Sequence, residues 1–438
     1  MSRRGRRTPT RHREEIWPSA SCSIKPAKHS GIDLHKLESP AAVRRPFQVV
    51  PTSFAFTILL GLFAALPALS IDLSAPTLPF LPQALRTTVT MAGLTLSLFM
   101  VGFALGQLSA GSLSDTTGRR PMLLGGLACF TLSGIACALS QSATALIVGR
   151  CLQGFGAGSC AVLSFAMVQD LFEGEAARAK RSYVTAVFAA MPVLAPALGS
   201  VLVDLFGWRS VHVVLAVGGG VLLALTWACV AESRSRRPEL RNPQPGDCRP
   251  SLWRDRVFLR VTLVNALSYG VIFSYIAGSP VVIIRQMGYP PLVFAAVFAC
   301  TAVALTLGAA SSGILGRRGT SAAAAIWVSL VATVVATLGL AGFGLAGISM
   351  AAIILPLLLV VLFCRGILSP NLQHVAIDRW SERAGTASAF VGVSQLLGGA
   401  LASVVVAALL PHLRLNAVLA PMAVLAAAAC LMWRPPHP

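Results

Sequence analysis

The sequence predicts an all-α membrane protein with twelve transmembrane helices in two pseudo-symmetric six-helix bundles and both termini in the cytoplasm. Three observations carry this expectation. Of the 438 residues, 55% are hydrophobic and only 12% are charged, whereas a soluble domain carries about 25% charged residues as its polar coat. The apolar residues fall into blocks of about 20, the length that crosses a hydrocarbon core of roughly 30 Å. Arginine and lysine collect in the gaps between blocks and alternate between rich and poor gaps, as topology selection requires.

Residues 1–52 are polar and basic, contain prolines and have no apolar core, so a disordered cytoplasmic tail is expected there. More than 50 residues precede the first apolar run, which argues against a secretory signal. The first six blocks run over 54–80, 90–113, 121–140, 143–168, 182–203 and 210–231, forming an N-terminal bundle over 53–231. A basic, proline-rich cytoplasmic linker spans 232–257. The second six blocks run over 258–283, 291–315, 321–343, 348–370, 385–409 and 414–433, forming a C-terminal bundle over 258–438. Two sets of six around one long polar loop are the mark of internal repetition.

With the N-terminus in the cytoplasm, the cytoplasmic segments hold 28 of the 35 Lys and Arg residues and the opposite loops hold four: Arg86, Arg209, Arg285 and Arg414. The remaining three, Arg150, Arg260 and Arg365, lie inside or at the edges of blocks. The asymmetry sets the orientation by the positive-inside rule. It also accounts for the net charge of +19, so nucleic-acid binding is not expected. Eight of the ten cysteines lie within apolar blocks without metal-type spacing and read as small hydrophobes. Gly102 with Gly106, Gly154 with Gly158, and Ala195 with Gly199 sit four residues apart, a spacing that lets helix backbones approach closely.

Of the 16 acidic residues, Asp72 alone lies within an apolar block rather than in the tail, a loop or a block end. Desolvation favours the neutral acid, so a carboxyl there suits proton exchange. The alternative is a place near the outer interface, since Asp72 lies about 27 Å along the helix from Phe54. Pro67, Pro76 and Pro79 weaken the helix around it. Arg150, in the fourth block, lies about 12 Å below the outer surface. Its guanidinium cannot lose its proton and must find water, a carboxylate or carbonyls. Gly154 and Gly158 share its helical face and Gln153 lies beside it.

Between the second and third blocks, GSLSDTTGRRP places Gly111, Asp115, Gly118, Arg119 and Arg120 in a short charged turn. This run resembles the loop signature of the major facilitator superfamily. RCLQG, starting at Arg150, is similar to the fourth-helix motif of that family, which implies a part for Arg150 in proton coupling with Asp72. MPVLAPALGS is similar to its antiporter motif on the fifth helix, which implies helix-bending and leak-limiting roles for Pro192, Pro196 and Gly199. SIDLSAPTLP, QDLF, FGWR and ERAGTASAF resemble the bicyclomycin and chloramphenicol resistance (Bcr/CflA) type of drug:proton antiporter. The resemblance covers about 54–433 and implies the major facilitator fold, with Asp115, Arg119 and Asp170 latching the cytoplasmic side. The sequence departs from these motifs at Thr116, where a basic residue is usual, at Gln169, and at Ser200, where glycine is usual. The matching loop of the second half keeps Gly313, Arg317 and Arg318 without the aspartate.

The second half offers polar and aromatic candidates for a substrate cavity: Asn265, Tyr269, Tyr275 and Gln395, with Gln153 from the first half. Each has an alternative role in hydrogen-bonding a neighbouring helix. The expectation is a monomeric secondary transporter of a bacterial inner membrane that exports small organic molecules by alternating access. Its only coupling partner is the proton gradient, with no cofactor or metal. Proton-coupled uptake is the alternative within transport. A membrane sensor or enzyme is the alternative from another class. Against the latter, there is no phosphate-binding loop, no soluble catalytic domain and no metal-like spacing among the seven histidines.

Overall fold

The computed structural model describes residues 50, 52–233, 255–347, 351–378, 380 and 384–434. The expected tail and most of the linker therefore lie outside the described residues. The described chain is helical throughout: α1 (Phe54–Ser74), α2 (Val89–Thr117), α3 (Arg119–Leu139), α4 (Ala143–Leu171), α5 (Gly174–Phe206), α6 (Trp208–Cys229), α7 (Arg256–Pro280), α8 (Pro291–Arg317), α9 (Ala322–Leu345), α10 (Ala351–Asp378), α11 (Ala384–Leu413) and α12 (Asn416–Met432). Eleven of these are long and apolar enough to cross a membrane by length and composition, and Asn416–Met432 is a shorter apolar helix of 17 residues. Their outward faces carry exposed leucine, valine and tryptophan, among them Leu132, Leu139, Trp227, Val335 and Val424. Such an apolar exterior is stable only where hydrocarbon replaces water.

Hydroxyl and carboxylate caps start the helices where the sequence turns polar. Ser53, Thr88, Ser142 and Ser321 each accept a backbone N–H three residues on, and Asp255 accepts from Val257 and Phe258. Two helices reach beyond their apolar blocks. α5 starts at Gly174, eight residues before its block, and α10 continues to Asp378, eight beyond its block. Both extensions are charged or polar turns, where membrane length no longer limits the helix. The first block does not continue as α-helix to residue 80. α1 runs unbroken through Pro67, then tightens into a 3₁₀ turn over Ala75–Thr77 that contains Pro76. α7 closes similarly, passing after Pro280 into a π turn over Val281–Gln286.

The packing partners recur six helices on. α1 packs against α4 and α5, α2 against α4, and α3 against α4 and α6; correspondingly α7 packs against α10 and α11, α8 against α10, and α9 against α10 and α12. The two sets meet along α2 with α11 and α5 with α8. The hydrogen bonds between these sets lie at the end carrying the 75–88 and 281–290 connections. Thr90 Oγ1 donates to the Ala407 carbonyl at 3.1 Å, Ser200 Oγ to the Pro291 carbonyl at 2.9 Å, and Arg285 Nη1 to the Pro79 carbonyl at 2.8 Å.

The α2–α4 contact is a meeting of backbones. A methyl group at Gly102 or Gly106 would strike the carbonyls of Cys151 or Phe155, and one at Gly154 or Gly158 would strike those of Phe99 or Phe103. Between α8 and α10, Gly308 and Gly366 stand in the same reciprocal relation to Phe363 and Leu305. Lipid gives apolar side chains no reason to leave it for one another, so close approach supplies the association through dispersion and weak Cα–H contacts. Gly154→Ala is expected to destabilise the protein by about 1–3 kcal/mol through forced separation of the helices. Gly218→Ala, which opens onto empty space, should be neutral. Thermal unfolding in detergent measures both, and equal melting temperatures would refute the close-packing account.

Candidate functional site

Arg150 is 2% exposed. Its guanidinium bridges two helices, with Nη1 donating to Ser70 Oγ at 2.8 Å and to Gln153 Oε1 at 2.7 Å. Nη2 donates to Ser74 Oγ at 3.0 Å and to the Ser70 carbonyl at 3.3 Å. The guanidinium carbon lies 4.3 Å from the centroid of the Phe99 ring, which adds cation–π attraction in a dry setting. Ser70 and Ser74 are one turn apart on α1, so they form a single ledge facing α4. His212 is buried nearby and, with Arg150, Ser74 and Thr95, lines a small cavity below the 75–88 connection.

Asp72 sits between those serines in sequence and, two residues from each, on another face of α1. Among the described residues it is the buried carboxylate, at 4% exposure, and no hydrogen bond or ion pair holds it. The expected pairing with Arg150 is therefore not present in this conformation, because Arg150 is committed to the serine ledge. The backbone beside Asp72 is clamped: a methyl at Gly199 of α5 would strike the Leu73 carbonyl. That contact is the local role the structure gives to the glycine of the fifth-helix run. Pro192 and Pro196 lie within a helix that continues past both of them.

In the second half, Asn265 joins two partners. It accepts from Arg365 Nη1 at 3.2 Å and donates to Gln395 Oε1 at 3.3 Å. Tyr269 stands beside this pair, its ring centroid 5.4 Å from the Arg365 guanidinium carbon. Two cavity candidates fall elsewhere. Gln153 is fully buried and orients Arg150. Tyr275 is buried against α8, stacked on Phe298 at 5.9 Å with its hydroxyl 3.4 Å from Thr301 Oγ1. Tyr275 is six residues from Tyr269, so the helix turns it to a different face.

At the opposite end, Arg119 begins α3 and pairs with Asp170 at 2.9 Å and Asp115 at 2.8 Å, while also donating to Ser114. Gly118 turns the chain with φ +100°, a conformation that favours glycine. Glu232 caps α3, accepting the backbone N–H groups of Arg119 at 2.8 Å and Arg120 at 3.1 Å, and Arg120 Nη2 reaches the Trp227 carbonyl at 2.8 Å. The latch therefore ties α2, α3, α4 and the end of α6. Gly111 faces open space, so no close approach explains it.

The family model described as Major Facilitator Superfamily matches residues 55–403. The chain belongs to this superfamily. Members of this superfamily are transporters of small molecules in membranes and not enzymes, so this chain is a multi-pass transport protein. It is 30% identical over 355 residues to the uncharacterized MFS-type transporter YdgK of Bacillus subtilis (strain 168), covering 80% of this chain and 87% of that one. It is also 30% identical over 334 residues to multidrug resistance protein MdtL of Escherichia fergusonii, covering 76% and 83%. Among solved structures, the D-xylose-proton symporter superposes with a TM-score of 0.66 at 16% identity, covering 87% of this chain and 98% of that one. That likeness shows a shared fold.

Sequence reading missed three parts of this facilitator's polar framework. The sequence places Arg365 inside or at the edge of a block and gives it no role, yet α10 continues to Asp378 and leaves it buried deep in the helix. The polar run NLQHVAID, read as helix, would have revealed this. Ser70 and Ser74, at four-residue spacing around Asp72, signalled a polar ledge. Glu232 carried no signal, because capping across sequence distance appears only on folding.

Arg150→Lys keeps the charge but cannot span Ser70, Ser74 and Gln153 together. It is expected to destabilise the protein by about 1.5–3 kcal/mol, the worth of hydrogen bonds to a charged group. Ser74→Ala should cost less. Melting curves in detergent check this order; a lysine variant as stable as the parent would show that the fork is not the tie between α1 and α4.

Proposed function

We propose that this transporter is a proton-coupled exporter of small organic molecules or drugs, working by alternating access in the bacterial inner membrane with both termini cytoplasmic. The observation that carries the reading is Asp72: a carboxyl buried within the spanning helices, with no described hydrogen-bond or ion partner. An intramembrane acid is costly unless it gains a proton or a cation, and that need is the basis of coupling. Facing outward, Asp72 takes a proton as cargo leaves; facing inward, it releases the proton as cargo binds. Arg150 acts on Asp72 through the Ser70–Ser74 segment of α1, and a turn of α1 between states would alter their separation.

Two six-helix bundles rocking about the cavity are supported by helix pairings that recur with an offset of six. Cross-contacts at the 75–88 end, with the charge asymmetry of the loops, support an inward-facing conformation, and the reading takes the transporter as a monomer. The fifth-helix run of prolines with Gly199, together with the likeness to a multidrug resistance protein, supports export of the Bcr/CflA type. The Asp115–Arg119–Asp170 latch, which ties helices of the first half in this conformation, is read as the cytoplasmic gate motif, its contacts to the second half changing as the bundles move. Protons are the only coupling partner required.

Everted membrane vesicles with an acidified lumen test this. Antibiotics or metabolites that are cargo are expected to release protons from the lumen, and Asp72→Asn is expected to abolish that release at similar protein levels. Cargo that deepens the acidification would mark symport. Export by the asparagine variant driven by the pH gradient alone would remove Asp72 from the mechanism.

A further inference from the structure

Arg365 is a buried cation that the mechanism above does not use. It is 4% exposed on α10, and its only described acceptor is Asn265 Oδ1, at 3.2 Å. Arg150 provides the contrast. That guanidinium makes four hydrogen bonds and stacks on a ring, as a structural cation in a low-dielectric interior should. Arg365 carries the same permanent charge and five N–H donors, yet no described carboxylate pairs with it. Its surroundings are preorganised. Asn265 is itself held by Gln395 at 3.3 Å, and Tyr269 flanks the guanidinium and lies 4.8 Å from the Phe273 ring. Arg365 is thus a buried cation short of acceptors, set beside an aromatic pair of α7.

We propose that Arg365, oriented by Asn265 and Gln395, is a subsite for the carboxylate of a zwitterionic cargo. The cationic group of that cargo takes Asp72, and its aromatic or apolar body lies along Tyr269 and Phe273. The inference rests on the export reading above and narrows its substrate class. A guanidinium matches a carboxylate through two parallel N–H donors, and such a pair strongly rejects analogues that lack the acceptor. The coupling logic favours both charges on one molecule. For antiport, cargo must compete with the proton at Asp72, which a cationic group does. An anion lacking that group would bind best when Asp72 is protonated and would travel with the proton, giving symport. A zwitterion satisfies both buried charges at once and leaves Asp72 to be neutralised by a proton on return.

The test uses the purified full-length protein and matched trios: aromatic amino-carboxylates of increasing length, their methyl esters and their N-acetyl derivatives. Binding is measured by calorimetry. The amphoteric member of at least one trio is expected to bind about tenfold or more tightly than its ester and its N-acetyl form, as loss of a charged partner in a built site implies. Arg365→Gln should erase the preference of acid over ester, with Arg365→Lys restoring part of it. The wild-type comparison of acid with ester decides the question even if the glutamine variant fails to fold. Esters binding as tightly as acids, or no amphoteric compound binding, would overturn the subsite. Proton release in everted vesicles separates the two proposals. Arg365-dependent acid preference without proton release sinks antiport and leaves the subsite standing. Proton release by cargo with no acid preference does the reverse.

Discussion

A guanidinium buried among membrane helices must be surrounded by acceptors, and the way Arg150 meets that demand organises the first half of the molecule. Its donors take the Ser70 and Ser74 hydroxyls, the Ser70 carbonyl and Gln153. The Ser70 carbonyl is shared, since it also accepts the Ser74 hydroxyl at 2.6 Å, so the two serines and the guanidinium form one hydrogen-bonded cluster. The same ledge decides where Asp72 faces. With both serines turned to α4, the carboxylate between them is turned elsewhere, buried and unpaired. One hydrogen-bonding requirement therefore separates the acid and the base that a simple pairing would have joined.

Around this centre, glycine replaces the hydrophobic drive that lipid removes. Gly102, Gly106, Gly154 and Gly158 bring α2 and α4 into backbone contact, and Gly199 brings α5 onto the Leu73 carbonyl beside Asp72. The α8–α10 pair repeats the device with Gly308 and Gly366. Contacts of this kind hold helices as stiff pairs that move together. The Arg119 latch, by contrast, is made of partly exposed charges that water can resolvate: the Asp115 side chain is 66% exposed. The exposed Asp115–Arg119 pair is weak, about 0–1 kcal/mol, whereas Arg119 and Asp170 are 14% and 23% exposed and less open to water.

The buried charges are not equivalent. Arg150 is saturated by neutral acceptors from its own half, whereas Arg365 has a single one from Asn265 and Asp72 has none described. Saturated charge stabilises one arrangement of helices, while unsaturated charge of either sign creates demand for a ligand or a proton. The two arginines thus differ in how far the protein itself satisfies them.

Much of the framework was legible in the sequence, because the bilayer imposes simple rules. Block length, basic asymmetry and four-residue glycine spacing located the helices and placed Asp72 and Arg150, since each of these signals is local or one-dimensional, whereas the Arg119–Asp170 pair was legible only through the resemblance of GSLSDTTGRRP to a family motif. Helix ends were less legible where α5 and α10 run on in water-compatible sequence. Composition marks the hydrocarbon boundary, and the helix need not stop at it. What the tertiary structure alone decided is partnership: that Arg150 bonds to serines and leaves Asp72 unpaired, that Gln153 and Tyr275 pack within helix contacts while Asn265 and Gln395 meet, that Glu232 caps α3, and that Arg365 is buried beside Tyr269. Hydrogen bonds join residues 80 to 130 positions apart here, and spacing along a chain fixes a residue's face on its own helix but not which face of another helix it will meet.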